Sequence, residues 1–212
     1  MNKYINIFIL LISISLLTGC KKTTENNNKS EINLDINKIE VIRNITEDNE
    51  LLLTIKNPYE ENINIEVTIT YYDSEQNEID FDYDFVECIS SEETVYLGFD
   101  ITEDNYNDYK IEVVPEINYS MHNRKENIEI KTVKKEKNIE VELLNKGEET
   151  IDVFSVIVLY YKNEKIIGYD IGTGVNLENN KIKTIKLYPP YQGKKVLEYD
   201  KYEVKINEAY TE

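Results

Sequence analysis

The chain has 212 residues, 41% of them hydrophobic, with 4 Pro and 7 Gly, which is apolar enough for a packed core and excludes a disordered or fibrous protein. Forty-one Asp and Glu against 24 Lys and Arg leave a formal net charge of −17. That sign repels phosphate backbones and anionic headgroups, so nucleic acid is excluded as a partner and cations or basic surfaces are favoured.

Lys3 is followed by an apolar run from Tyr4 to Leu17. The run falls short of the ~20 residues that a membrane-spanning helix needs, and it reads as the core of a secretory signal. Next come Leu17-Thr18-Gly19-Cys20 and then Lys21-Lys22, an order that resembles the bacterial lipobox. The resemblance implies a signal peptide over residues 1–19 that is cleaved before Cys20. It also implies that the Cys20 thiol carries diacylglycerol and further acyl groups such as palmitate. Each buried CH₂ contributes about 0.8 kcal/mol, so several chains on one cysteine would hold the protein in the lipid bilayer, facing outside the cytoplasm. Residues 20–30 then carry no apolar stretch and read as a flexible tether. With Cys20 acylated, Cys88 is the one thiol left, so the core must rest on packing, without an intrachain disulfide.

From residue 31 onward the pattern is that of strands, written twice. Leu51, Leu53, Ile55 and Asn57 match Ile139, Val141, Leu143 and Asn145, and Tyr71-Tyr72 matches Tyr160-Tyr161 one residue further out of step. Thr94–Phe99 answers Lys183–Tyr188, and Tyr109–Val113 answers Tyr202–Ile206. Ile63, Ile65, Val67, Ile69 and Tyr71 alternate with Asn64, Glu66, Thr68 and Thr70, a period of two with one buried face. Ile79, Phe81, Tyr83 and Phe85 alternate in the same way with Asp80, Asp82 and Asp84, whose row reads as the solvated side. Turn signals separate the runs, and no helical stripe follows the leader. The expected fold is all-β: two tandem antiparallel immunoglobulin-like sandwiches, residues 31–121 and 124–212, joined by the polar stretch Ser120–Asn127.

Ile69-Thr70-Tyr71-Tyr72-Asp73 resembles the FxLYD motif of small β-sandwich domains in bacterial surface lipoproteins. Ile69 stands where that family has Phe, and Tyr71 where it has Leu. The second half keeps Tyr161 and replaces the aspartate with Lys162. The resemblance implies fold and location, and no activity or cofactor.

Candidate chemistry is sparse. His122 falls in the join between the halves, a poor scaffold for a nucleophile–base pair. Cys88 has no histidine in its own half to activate it and reads as a buried, inert thiol. Glu103, Asp104 and Asp108 are candidate cation ligands in a loop, without the ligand pattern of known calcium loops. One surface departs from the polar pattern. With Phe154, Val156, Val158 and Tyr160 facing the core, the outward row is Val153, Ser155, Ile157, Leu159 and Tyr161. Either a neighbouring strand's long side chains or the first half cover this row, or Val153, Ile157, Leu159 and Tyr161 are a docking face for an envelope protein or a second copy. The expected function is a membrane-anchored, non-enzymatic binding or scaffolding module at the cell envelope. The rivals are a solute- or cation-binding lipoprotein and an envelope glycan hydrolase built on carboxylates.

Overall fold

The computed structural model describes residues 34–101, 106–193 and 195–212, which belong to one compact unit, Ile32–Glu212. Residues 1–33, with Cys20 and the stretches read as signal peptide and tether, lie outside the described residues. Helical structure among the described residues is confined to two 3₁₀ turns, Ile36–Lys38 and Lys125–Asn127. Everything else that is regular is antiparallel strand.

The first half holds β1 (Glu40–Ile45), β2 (Glu50–Lys56), β3 (Ile63–Tyr72), β4 (Glu78–Ile89), β5 (Thr94–Asp100) and β6 (Asp108–Ile117). They form two sheets, β1-β2-β5 and β4-β3-β6. On β3 the period of two holds: Ile63, Ile65, Val67 and Ile69 are buried, while Asn64, Glu66, Thr68 and Thr70 are not. Their partners across the core are Leu51, Leu53 and Ile55 of β2 and Val95, Leu97 and Phe99 of β5.

The second half holds β7 (His122–Asn123), β8 (Ile128–Lys134), β9 (Ile139–Asn145), β10 (Ile151–Lys162), β11 (Lys165–Leu177), β12 (Ile182–Leu187), β13 (Tyr191–Gln192), β14 (Lys195–Val196) and β15 (Lys201–Thr211). Its main sheets are β12-β9-β8 and β11-β10-β15-β7, and they enclose a separate core. Asn163 and Glu164, both at positive φ (49° and 62°), make the two-residue turn between β10 and β11, a backbone that follows strand twist and suits Asn. The matching turn of the first half is longer, with the Asp73 carboxylate accepting from the N–H groups of Glu75 (2.8 Å) and Asn77 (2.9 Å).

The repeat is carried most clearly by two buried asparagines. Asn57 donates to the carbonyls of Glu61 and Ile89, each at 2.9 Å, and accepts from the Tyr59 N–H. Asn145 donates to the carbonyls of Glu149 and Leu177, each at 2.8 Å, and accepts from the Gly147 N–H. Every partner is displaced by the same 88 residues (57 to 145, 61 to 149, 89 to 177). A buried amide with all its groups matched fixes the turn that leads into the long central strand.

The same geometry corrects one match. Leu51 pairs with Phe99, and Ile139 pairs with Leu187, so Phe99 corresponds to Leu187 and not to Tyr188. A one-residue slip would turn the core row of a strand outward, and the core decides the register.

Leu52 points away from its neighbours Leu51 and Leu53, out of the first core. It meets Tyr96, Ile157 and Leu159 in a third apolar cluster, with Tyr161, Ile166, Tyr169 and Ile171 around it. The sheets therefore stack in the order β4-β3-β6, β1-β2-β5, β11-β10-β15-β7, β12-β9-β8. By the repeat, β1-β2-β5 corresponds to β8-β9-β12, and β4-β3-β6 to β11-β10-β15. The joint thus brings unlike sheets together, head to tail. Burying Leu52, Ile157 and Leu159 contributes about 2 kcal/mol each, which is comparable with the ~5–15 kcal/mol that stabilises a whole domain. Two halves coupled on that scale act as one body.

The expected polar linker is also bonded structure. His122 and Asn123 pair with Thr211 and Tyr210, and the Asn123 amide donates to the Cys88 carbonyl (2.8 Å) and to Glu93 (2.9 Å). Lys125, with only 13% of its side chain exposed, pairs with Glu93 at 3.0 Å.

Candidate binding face

The row singled out on β10 is the joint itself. Ile157 and Leu159 are fully covered, by Leu52 and Tyr96 of the first half. Val153 and Tyr161 are half-buried, and Tyr161 donates to Glu203 (3.2 Å) beneath the Lys201 ammonium, 4.9 Å from its ring. The docking-face alternative at Val153, Ile157, Leu159 and Tyr161 is therefore corrected at its centre: the chain covers Ile157 and Leu159 with its own sheet and packs Tyr161 against them, while Val153 lies outside that cluster. Gly98 belongs to the same fit, since a Cβ there would collide with the Tyr169 ring.

Polar groups lock the joint in register. The Asn207 side chain accepts from the Tyr96 N–H (2.8 Å) and donates to the Tyr96 carbonyl (3.0 Å), standing in for a neighbouring strand along the edge of β5. The Lys205 ammonium donates to the Tyr96 hydroxyl (2.9 Å) and lies 5.4 Å from its ring. Glu208 accepts from the Glu87 N–H (2.8 Å) and from the Ser155 hydroxyl (3.2 Å), while Tyr210 donates to the Glu87 carboxylate. Burial raises the Glu208 carboxyl above its ordinary range against the lowering effect of these hydrogen bonds, and the nearby Glu87 charge raises it further.

The remaining candidates are scattered. Glu103 and Asp104 lie outside the described residues. Asp108 is exposed at the start of β6, where its carboxylate accepts from the Tyr109 N–H (2.8 Å). Among the described residues no three His, Cys, Asp or Glu side chains converge to hold a metal ion. Cys88 is buried, with its thiol pushed up to about 11 first by desolvation and then by Glu93. His122 is exposed on β7.

One face escapes the sequence pattern. The Asp row of β4 reads as the solvated side, and Asp80 and Asp82 are exposed, yet Asp80, Asp82 and Asp84 pair with Tyr71, Ile69 and Val67 and so share the core-facing side of the sheet. They sit on an edge strand, where a carboxylate still reaches water, and Asp82 accepts from the Tyr71 hydroxyl (2.7 Å). The alternate row is thereby turned outward: Phe81 is 61% exposed, Tyr83 51%, Phe85 49% and Val114 of β6 40%. Across the outer face of β4-β3-β6, Phe85, Glu66 and Val114 form one row. Tyr83, Thr68 and Glu112 form the next, then Phe81, Thr70 and Lys110. Partial desolvation and then the hydrogen-bonded Glu66 carboxylate raise the Tyr83 phenol, and Glu116 adds to that field. The face is aromatic along the β4 edge, with Glu66 on the middle strand and Glu112, Glu116 and Lys110 along the β6 edge.

The model of the seminal vesicle autoantigen (SVA) family matches residues 3–123 of the chain. The chain belongs to this family. The SVA match begins at Lys3, just before the apolar run Tyr4–Leu17, and ends at the last residue of β7, so it takes in the first half and its aromatic face and, of the second half, β7 alone. No curated protein matches the chain.

Proposed function

We propose that the protein is a membrane-anchored lipoprotein whose two immunoglobulin-like sandwiches, related to FxLYD domains, serve as a non-enzymatic binding module at the outer side of the cell membrane. The observation that carries the reading is the solvent-facing row Phe81, Tyr83 and Phe85 on a sheet whose counterpart in the second half is an interface. Exposed apolar patches of a few hundred Å² mark contact sites, and aromatic side chains dominate the energetics of such contacts. The Leu17-Thr18-Gly19-Cys20 sequence and the tether after it support an anchor that leaves this face free to reach a partner.

The anchor is tested by Cys20→Ala. The unchanged protein is expected to enter the detergent phase in phase partition and to label with radioactive palmitate, and the variant to do neither. A variant that still follows the detergent defeats the lipoprotein reading.

A further inference from the structure

Resting on that reading, we infer that the outer face of β4-β3-β6 is a docking surface for a basic polypeptide segment, one that brings Lys and Arg side chains onto the Phe81–Tyr83–Phe85 row. The inference comes from comparing this face, row by row, with the equivalent face that the chain itself covers. In the second half Ile157 is flanked by Ile171 and Lys205, and Leu159 by Tyr169 and Glu203. The corresponding rows of the first half are Thr68 between Tyr83 and Glu112, and Thr70 between Phe81 and Lys110.

Three things change. The central strand gives up its aliphatic anchors, so the face no longer suits a flat apolar sheet. The position of Lys205 becomes Glu112, and that of Glu203 becomes Lys110, so the acid lies beside Tyr83 and the one base of these rows beside Phe81. In the covered joint Lys205 supplies the cation and the facing sheet supplies the ring, Tyr96. On the open face the rings and the carboxylates are on the same side, with Glu66 against Tyr83 and with Glu112 and Glu116 close by. The missing complement is a cation. Ammonium and guanidinium groups lie favourably over aromatic faces, and their aliphatic stems cover apolar surface between charges. The chain's charge of −17 draws such a segment in from a distance.

A second copy fits less well. Two of these faces would meet acid to acid. The far end of the stack offers Glu140 and Thr184 where the joint has Leu52 and Tyr96, within a surface of ion pairs such as Lys131–Glu142 (3.4 Å) and Lys135–Glu140 (3.3 Å).

The test uses the full chain in neutral detergent, titrated separately with an alternating Lys–Ala peptide and with a neutral β-glucan. Self-association is followed by sedimentation. Phe81→Ser with Phe85→Ser is compared with Glu140→Gln with Glu142→Gln at the far end. The expected result is saturable peptide binding that weakens with added salt, falls about tenfold or more in the ring variant and is unchanged in the far-end variant. Peptide binding that is insensitive to the rings means diffuse charge attraction and overturns the inference. Ring-dependent binding of the glucan alone, or ring-dependent self-association alone, also overturns it while leaving the binding-module reading in place. If the rings affect none of the three, both fall. A melting curve unchanged in the ring variant shows that any loss comes from the face and not from the fold.

Discussion

The two halves share a chain path, a central Tyr-Tyr strand and a hydrogen-bonded asparagine, yet they spend the same sheet face differently. Sheet β11-β10-β15 turns Ile157 and Leu159 into a sealed joint, while sheet β4-β3-β6 places Thr68 and Thr70 at those positions and leaves its edge aromatics in water. The inner faces differ as well. In the first half the Tyr71 hydroxyl donates to Asp82 at 2.7 Å. In the second, the equivalent Asp170 accepts instead from the Tyr188 N–H at 2.7 Å, and the buried Tyr160 hydroxyl has no hydrogen-bond partner among the described residues. A duplicated backbone therefore does not dictate duplicated chemistry. Core positions that set the register are held alike, and everything facing away from the core is free to diverge.

The sharpest way to break this comparison is to place the same charge on both sheets. Leu159→Asp buries an unpaired carboxylate in the joint and is expected to cost about 4 kcal/mol or more in chemical denaturation. Thr70→Asp, its counterpart beside Lys110, is expected to stay within about 0.5 kcal/mol. Equal losses at the two positions would show that the open face is core.

A smaller effect separates the two tyrosines. Tyr71→Phe removes a hydrogen bond to a carboxylate and is expected to destabilise by about 1 kcal/mol. Tyr160→Phe relieves a buried hydroxyl of an unmet hydrogen bond and is expected to be neutral or to stabilise by up to about 1 kcal/mol. A loss at Tyr160 matching that at Tyr71 would show that its hydroxyl has a partner in solution.

The smallest effect is a drift with pH. Because the folded protein raises the Glu208 carboxyl, its protonated form is favoured by folding. That contribution is complete below the unfolded-state value and is lost as pH rises through the folded one. Glu208→Gln cannot ionise, so its melting temperature should gain on the unchanged protein as pH goes from acid to neutral. A constant gap between the two melting curves across pH would contradict the assignment.

The strands and the repeat were legible because each rests on a local pattern: alternation for β3, and Asn57 and Asn145 at one offset, though their burial shows only once the carbonyls of Ile89 and Leu177 are beside them. The cover over Ile157 was legible only as one of two alternatives, since a row of apolar residues says that something covers it and not what. The face at Phe81 was missed for a physical reason. Alternation names two sides of a strand without saying which is inside, and on an edge strand acid groups can take the inner side because water is still within reach. The joining segment was misread as a linker because Asn123 and Lys125 look like solvated residues until Cys88 and Glu93 are brought beside them.

A contact between unlike surfaces differs from a two-fold contact in that it has no natural stopping point. Two like faces close on each other and are used up, whereas a front joined to a back always leaves one more front and one more back. Here two sandwiches meet in that open-ended way, and each terminus of the stack could in principle receive another. What ends the series is the side chains: Glu140 and Thr184 at one terminus refuse the fit that Leu52 and Tyr96 make inside, and Thr68 and Thr70 at the other lack the aliphatic bulk of Ile157 and Leu159. The two ends of the stack therefore differ from the joint residue by residue, and those differences keep either end from repeating its fit.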